Sequence, residues 1–306
     1  MTTFNWKNYE FKDYLDWKKH EVSNLPIGVN ISTMCGSCKL NTKINLKYIE
    51  DYLPLNQDDV ISVKINKEKN RTLIPAKIKK RRSKKETVKK KVTPFYNQIT
   101  VVIRIKEGDT DNLEDEKKIN LKLFKNGSVQ ISGLKKIEYC NRALNKLVYR
   151  LNEIKGILID DKISEVKFIE DKINITDFKI YMINSNYKVN LQINRSALYH
   201  LLIKKKIKSS FEKTIRACVI VKYIPKNNND EEKEISVFVF EKGNIIITGA
   251  RNLDHIRETY KYINNILFNH MSEIMRKDNE ENDKIIFDLY DQILKENKHK
   301  LSTLGL

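Results

Sequence analysis

Apolar residues recur along this chain with two different spacings, which predict strands and helices. Strict alternation of apolar and polar residues, typical of half-buried strands, appears in many short runs. These runs are 29–33, 60–65, 98–105, 119–124, 128–132, 178–183, 215–224, 235–240 and 244–248. Apolar residues three and four apart predict helices over 45–53, 135–154, 196–204, a segment from residue 252 onward, and 283–296. Strands mixed with amphipathic helices indicate an α+β fold.

Local signals predict where some elements end. Asn41 or Asn45 suits the cap at the start of the first helix. Gly156 is expected to cap the C-terminus of the second helix. Between two predicted strands, the Lys-Asn-Gly sequence at 125–127 suits the positive φ of a hairpin turn.

One part of the pattern occurs twice. Residues 121–133 and 237–249 both read as strand, turn and strand, with a glycine before a helix. The matching residues are Phe124 and Phe240, Gly127 and Gly243, Ser132 and Thr248, and Gly133 and Gly249. Such a repeat predicts a duplicated unit with pseudo-two-fold symmetry.

The repeat divides the chain into an N-terminal extension (1–27), two repeats (28–156 and 157–274) and a C-terminal helical extension (275–306). An amphipathic stretch in the N-terminal extension is expected to cap the domain. Each repeat reads as strand, helix, several antiparallel strands, helix. Two such units are expected to form one curved antiparallel sheet, with helices on the convex face and the other face open. An open sheet face is typical of a binding surface.

The charge of the chain narrows the class of partner. A net charge of +18 indicates that the partner is a polyanion, either nucleic acid or an acidic membrane surface. Much of the excess lies in a basic insertion, 67–91, which is too polar to order itself and is expected to be a mobile loop. This insertion would contact nucleic acid, serve as a nuclear-import signal through 77–85, or be merely solvated.

Membrane insertion and secretion are not expected. No run of apolar residues is long enough for a transmembrane helix. The first 20 residues are too charged and aromatic for a signal peptide. We therefore expect a soluble, intracellular protein.

Candidate catalytic and metal-binding chemistry is sparse. Cys35 and Cys38 have the C-x-x-C spacing of zinc and redox sites, but no second pair of cysteines or histidines lies nearby to complete four ligands. A structural role at the end of a strand is therefore favoured. The five histidines are dispersed, and the chain has neither a P-loop nor a G-x-S-x-G motif. We expect a protein that is not an enzyme and that holds no metal or cofactor.

The repeated motif Phe-x-x-Gly-x-x-x-x-[Ser/Thr]-Gly, each time followed by an amphipathic helix, resembles the TATA-box-binding protein (TBP) family. Thr-Asp-Phe-Lys-Ile at 176–180, Cys-Lys-Leu at 38–40 and Val-Ile-Arg-Ile at 102–105 resemble further family motifs. The resemblance covers about residues 28–270. The Lys-, Asn- and Ile-rich composition with its insertions resembles divergent TBP-like proteins of large DNA viruses.

The resemblance implies a saddle whose concave sheet binds and bends the minor groove of AT-rich promoter DNA. Phe124 and Phe240 match one member of each pair of wedge residues. The companion in the first repeat is Phe95 or Tyr96, and in the second repeat it is Phe211 or Ile215. By alternation, further residues share the face of the two phenylalanines. They are Lys122, Gln130 and Ser132 in the first repeat, and Phe238, Ile246 and Thr248 in the second.

The resemblance also implies contacts at the centre and rim of the sheet. DNA contacts are expected from Ile31 and Asn184. The family's central asparagines align with Met182 in the second repeat and with Val29 in the first, with Asn30 one position away. Positions suited to phosphate contacts carry Arg104, Lys135, Lys222 and Arg251.

Protein partners are implied as well. The acidic loops 107–118 and 225–234 correspond to family loops near the surfaces used by general transcription factors, so such factors or RNA polymerase subunits are expected there. Alternatively, these loops are simple solvent-facing turns. The expected location is the nucleus or a cytoplasmic viral factory.

Three functions remain open from the sequence. The first is a promoter-binding initiation factor that bends DNA. The second is a protein-interaction scaffold with a TBP-like fold and only non-specific nucleic-acid binding, which the polar first repeat favours. The third is an RNA-binding or DNA-packaging protein that acts mainly through the basic insertion. In a simpler interpretation, Phe124 and Phe240 are core residues of an ordinary α+β domain.

Overall fold

The structure, a computed structural model, describes residues 6–16, 22–65, 70–75, 97–106, 116–159, 162–226 and 233–276. Several predictions fall outside these ranges. They are Phe95, Tyr96, the helix over 283–296, and most of the basic insertion and of both acidic loops.

Within the described ranges, the chain forms thirteen strands. They are β1 (Asn30–Lys39), β2 (Val60–Lys64), β3 (Asn70–Thr72), β4 (Gln98–Lys106), β5 (Glu116–Phe124), β6 (Ser128–Leu134), β7 (Lys155–Ile159), β8 (Lys162–Val166), β9 (Thr176–Lys188), β10 (Ser209–Ser210), β11 (Cys218–Tyr223), β12 (Ile235–Phe240) and β13 (Asn244–Ala250). β7 and β8 pair as a separate hairpin. The remaining eleven form one antiparallel sheet in the order β10-β11-β12-β13-β9-β1-β6-β5-β4-β2-β3.

The described helices are α1 (Leu46–Tyr52), α2 (Ile137–Leu151), α3 (Arg195–Lys204), α4 (Leu253–Asn269) and α5 (Met271–Ile274), with a 3-10 turn at Trp6–Asn8. The expected cap of α1 is confirmed, since the Asn45 side chain accepts a hydrogen bond from the Tyr48 backbone N–H at 3.1 Å. The expected cap of α2 is wrong. That helix ends at Leu151 with Asn152 as its cap, and Gly156 lies in β7.

The helices and one face of the sheet share a single hydrophobic core. In β5, Leu121 and Leu123 are fully buried in this core, together with Leu144 of α2. In the second repeat, Val237 of β12 packs in the same core as Ile256 of α4. Because strand side chains alternate between faces, the residues between these positions point away from the helices. The sheet is therefore covered by described helices on one face only.

The two repeats pair their strands in the same register. In β1 and β6, Cys35 lies opposite Ser132 and the register then shifts to pair Met34 with Leu134. In β9 and β13, Asn184 lies opposite Thr248 and the register shifts in the same way. The residue skipped in each case is a glycine with positive φ, 90° at Gly133 and 96° at Gly249. Both repeats thus carry the same bulge at the same place.

Two predicted loops contain strand residues. Asn70–Thr72 of the basic insertion forms β3 at the edge of the sheet, contrary to the expectation of a loop. Arg71 holds it there by donating hydrogen bonds to the carbonyl oxygens of Ile49 and Leu53, each at 2.9 Å. Likewise, the last three residues of the acidic loop 107–118 belong to β5.

The described part of the N-terminal extension packs on α2 through a buried polar network. Asp59 is fully buried and accepts hydrogen bonds from the Trp6 indole at 2.9 Å and from Arg150 at 2.5 and 3.0 Å. Asn145 of α2 binds the Lys12 backbone N–H and carbonyl at 2.9 and 2.8 Å. Trp6 also covers the ammonium group of Lys146, whose pKa burial lowers to about 8. The extension therefore closes one flank of the first repeat.

We expect Asp59→Asn to lower the free energy of unfolding by about 3 kcal/mol, because it removes the fully buried carboxylate of the ion pair and leaves Arg150 only the more exposed Glu153 as a charged partner. Urea denaturation monitored by circular dichroism measures the change. Glu170→Gln is the control, since its partner Lys43 lies 3.6 Å away in an exposed pair and little effect is expected. Equal effects of the two substitutions would contradict the structural role of Asp59.

Two glycines with similar backbone conformations allow the effect of backbone strain to be measured separately from that of steric clash. Gly243 and Gly28 have similar positive φ values of 76° and 78°, but a Cβ atom at Gly243 would lie 2.2 Å from the carbonyl oxygen of Val189, whereas Gly28 has nothing within 4 Å. We expect Gly28→Ala to lower stability by about 1 kcal/mol through strain and Gly243→Ala by about 3 kcal/mol. Thermal and urea unfolding of both variants measure the two losses of stability. Equal losses in the two variants would refute the larger steric effect expected at Gly243.

Candidate nucleic-acid interface

The sheet face opposite the helices, called here the open face, is built from equivalent positions of the two repeats. Its members are alternate residues of the central strands that do not pack in the core. In the first repeat they are Cys35, Ser37, Gln98, Thr100, Lys122, Phe124, Gln130 and Ser132. In the same order, their counterparts in the second repeat are Asn184, Asn186, Cys218, Ile220, Phe238, Phe240, Ile246 and Thr248.

The second repeat presents an apolar surface on the open face. Phe238 lies between Ile220 on β11 and Ile246 on β13, its directly paired residues on the two neighbouring strands. Phe240 lies next along β12, opposite Cys218. All of these side chains are half-buried, although none belongs to the core. An apolar patch that no described element covers is typical of a binding surface.

The first repeat presents a polar surface at the same positions. Lys122 lies between Thr100 on β4 and Gln130 on β6. Phe124 keeps the position of Phe240 but lies opposite Gln98. Hydrogen-bonding and cationic groups therefore replace most of the apolar surface of the second repeat.

The centre of the open face holds a polar pair and a buried thiol. Thr248 donates a hydrogen bond to the Asn184 side chain at 2.5 Å, which fixes the orientation of that amide. At the counterpart of Asn184, the Cys35 thiol is hydrogen-bonded to Tyr181, and burial raises the pKa of this thiol.

The registers correct the alignment of the central positions. Because Cys35 corresponds to Asn184, the counterpart of Met182 is Thr33 rather than Val29. Thr33 and Met182 lie opposite Asn184 and Cys35 respectively across the β1–β9 junction. Val29 instead lies in the core, at 6% exposure.

Two of the expected phosphate-contacting cations are already engaged within the protein. Arg104 forms an ion pair with Glu116 at 3.0 Å, and its guanidinium donates two hydrogen bonds to Gln57. Lys222 donates to the Ser236 hydroxyl at 2.8 Å and pairs with Glu234 at 3.0 Å. Hydrogen bonds from Lys208 and Lys222 lower the pKa of Glu234, so it stays ionised. These pairs would have to exchange partners to contact a phosphate.

The remaining cations at the rim are placed differently. Lys135 is exposed and Arg251 is half-buried, and each follows the bulge glycine of its repeat and precedes a helix. Lys39 and Lys188 end β1 and β9 at equivalent positions, and both are exposed, with Lys39 paired to the exposed Asp177 at 2.7 Å. Sequence alternation alone did not single out Lys39 and Lys188.

Three residues expected near the DNA point elsewhere or lie outside the sheet. Ile31 packs against the core, because a register shift between Ile31 and Thr33 turns it to the helix side. Phe211 also packs against the core, with its ring centroid 6.0 Å from that of Tyr199. Ile215 is 79% exposed in the turn before β11. The residues paired directly with Phe124 and Phe240 are instead Gln98 and Cys218.

The C-x-x-C pair is divided between the two faces of β1. Cys35 lies on the open face, whereas Cys38 lies in the core, where burial raises its pKa to about 12. Two thiols on opposite faces of one strand cannot ligate the same ion. Among the described residues, no group of three or more acidic, histidine or cysteine side chains is placed to hold a metal.

These features define an α+β protein with one large antiparallel sheet and, among the described residues, a face free of helices. A TATA-box-binding protein-like protein of Acanthamoeba polyphaga mimivirus is 35% identical over 281 residues, which span 86% of this chain and 70% of that protein. The chain therefore belongs to the TATA-box-binding protein-like family, as its repeated motif indicates.

The TBP of Methanococcus jannaschii aligns over 79% of this chain and 98% of its own length, with 14% identity and a TM-score of 0.46. No family model matches the chain. Among the described helices, none is long and apolar enough to cross a membrane.

The four cysteines provide a direct test of the two faces. We expect iodoacetamide to modify Cys218 first and Cys35 more slowly, because Cys218 is half-buried and Cys35 is only 8% exposed. Cys38 and Cys140, which lie in the core, should react only after unfolding. Peptide mass spectrometry of the native protein at pH 8 measures the order. Modification of Cys38 as fast as Cys35 would contradict the assignment of faces.

Proposed function

We propose that this chain is a DNA-binding transcription initiation factor whose open face lies in the minor groove of promoter DNA and bends the duplex. The observation that carries the proposal is the apolar surface around Phe238 and Phe240. These rings lie outside the core on a broad sheet face, where the minor groove of an opened and bent duplex would fit. A protein of this kind is not an enzyme.

The duplicated architecture supports a two-fold partner. Strand order and register repeat on either side of the β1–β9 junction, and we propose that the repeats extend over 28–156 and 157–274. Double-stranded DNA has approximate two-fold symmetry of its own. We propose that the joined repeats form a curved saddle, with the helices on its convex face and the DNA on its concave face.

Charge supports a polyanionic partner. The chain carries a net charge of +18, and Lys135, Arg251, Lys39 and Lys188 lie at the rim of the open face or at the ends of its strands. Contacts from these residues to phosphates would supply affinity and fix the position of the protein without reading the sequence. Base contacts would come from the centre, where Asn184 and Thr248 present polar groups.

Protein partners are proposed at the loops that precede β5 and β12. These correspond to 107–118 and 225–234, which are acidic and occupy equivalent places in the two repeats. General transcription factors or polymerase subunits with basic surfaces would fit them. Such a role places the protein in the nucleus or in a cytoplasmic viral factory.

A scaffold that binds nucleic acid only non-specifically is the second candidate. The polar surface of the first repeat favours it, as does the engagement of Arg104 by Glu116. A scaffold would leave the open face free in the presence of DNA, whereas a minor-groove protein would cover it.

The wedge role of the phenylalanines is tested by the combined variant Phe124→Ala and Phe240→Ala. We expect it to lose most of the bending of an AT-rich duplex, because the apolar contacts that hold base steps apart are removed. End-to-end fluorescence energy transfer measures the bend at a protein concentration that saturates the DNA.

Phe268→Ala is the matched control, since Phe268 is 52% exposed on α4, outside the open face. Bending that survives the double substitution would overturn the wedge assignment. In the same complexes, alkylation distinguishes the scaffold. DNA in the open face should protect Cys35 and Cys218, and unprotected cysteines would favour the scaffold.

A further inference from the structure

The two repeats offer opposite chemistry at equivalent positions of the open face. On three neighbouring strands of the second repeat, Ile220, Phe238 and Ile246 form a continuous apolar ridge. The counterparts in the first repeat are Thr100, Lys122 and Gln130. Because the registers match, this difference comes from side chains alone and not from a change of backbone pairing.

We propose that the protein bends DNA asymmetrically, with the second repeat inserting apolar side chains into the duplex and the first repeat gripping the backbone without inserting. This inference rests on the proposed function and specifies which repeat opens base steps and which repeat contacts only the backbone. The ligand would be a duplex with one kinked end and one end that stays stacked.

The physical reason lies in what each surface gains from contact with bases. An unstacked base step exposes apolar ring faces, and the ridge of Phe238 with its neighbouring isoleucines can cover them with no polar group left unsatisfied. The ammonium group of Lys122 would lose its hydration between two bases without gaining a counter-charge. Its favourable partner is a phosphate at the edge of the groove.

Phe124 does not restore the ridge in the first repeat. It lines a groove with the polar residues Ser37, Asn126, Ser128 and Gln130, and the second ring in that groove, Phe178, packs against the core. Its counterpart Phe240 adjoins the ridge formed by Phe238. A single ring among polar groups covers less of an opened base step than two adjacent rings do. Bending should therefore depend mainly on the second repeat, and salt-dependent affinity more on the first.

Exchanging the residues at one equivalent pair of positions tests this division. Phe238→Lys and Lys122→Phe are made in the full chain. For each variant and for the wild-type protein, fluorescence anisotropy measures binding to an asymmetric AT-rich duplex, and end-to-end energy transfer measures its bend. Fluorescence of 2-aminopurine, placed at each base step in turn, measures unstacking. The wild-type protein should brighten 2-aminopurine at one end of the site only.

Phe238→Lys should abolish this signal and most of the bend. It should also steepen the slope of log affinity against log salt by about one, as expected for one added phosphate contact. Lys122→Phe should create a second bright position at the opposite end, increase the bend, and reduce the salt slope by about one. Lys261→Ala removes an exposed charge from α4 and should change neither readout.

The outcomes separate the two proposals. If the wild-type protein neither binds nor bends the duplex, the proposed function fails. If it bends the duplex with equal 2-aminopurine signals at both ends, the function stands and the asymmetry is wrong. Lys122→Phe is expected to gain a signal, which an unfolded protein could not produce. A Lys122→Phe variant that binds the duplex without a second 2-aminopurine signal would also overturn the inference.

Discussion

The antiparallel pairing of β1 with β9 is the contact on which the arrangement of the whole molecule depends. It joins the two repeats into one sheet and protects two strand edges that would otherwise be open to pairing with other chains. It also fixes how the two halves of the open face meet, with Thr33 opposite Asn184 and Cys35 opposite Met182. A slip of one residue here would turn one strand's open-face side chains into the core.

Much of the fold follows from the sequence because burial on one face imposes a strict alternation. Each predicted strand of the large sheet overlaps a described strand, and α2, α3 and α4 begin within two residues of their expected starts. The edge strand β3 was missed, since it lies in a lysine-rich segment with no alternation. Its order comes from pairing with β2 and from Arg71, which are contacts distant in sequence.

The candidate site was less predictable, because bulges shift residues between faces without a clear signal in the local pattern. The shift between Ile31 and Thr33 turns Ile31 to the core and makes Thr33 the counterpart of Met182. Cys218 and Ile220 were missed as open-face residues because 218–221 are all apolar, so the local pattern does not distinguish the two faces of β11. Only the pairing with β12 reveals their place.

The same backbone supports two different surfaces because core and open face are under separate constraints. In β5 and β12, equivalent core positions hold the apolar residues Leu121 and Val237, and both pack in the core that the sheet shares with the helices. The intervening position holds lysine in one repeat and phenylalanine in the other, and neither touches the core. The repeat therefore preserves its shape through the buried residues, while the open face is free to differ. A duplicated fold can in this way present unlike chemistry to the two ends of one ligand.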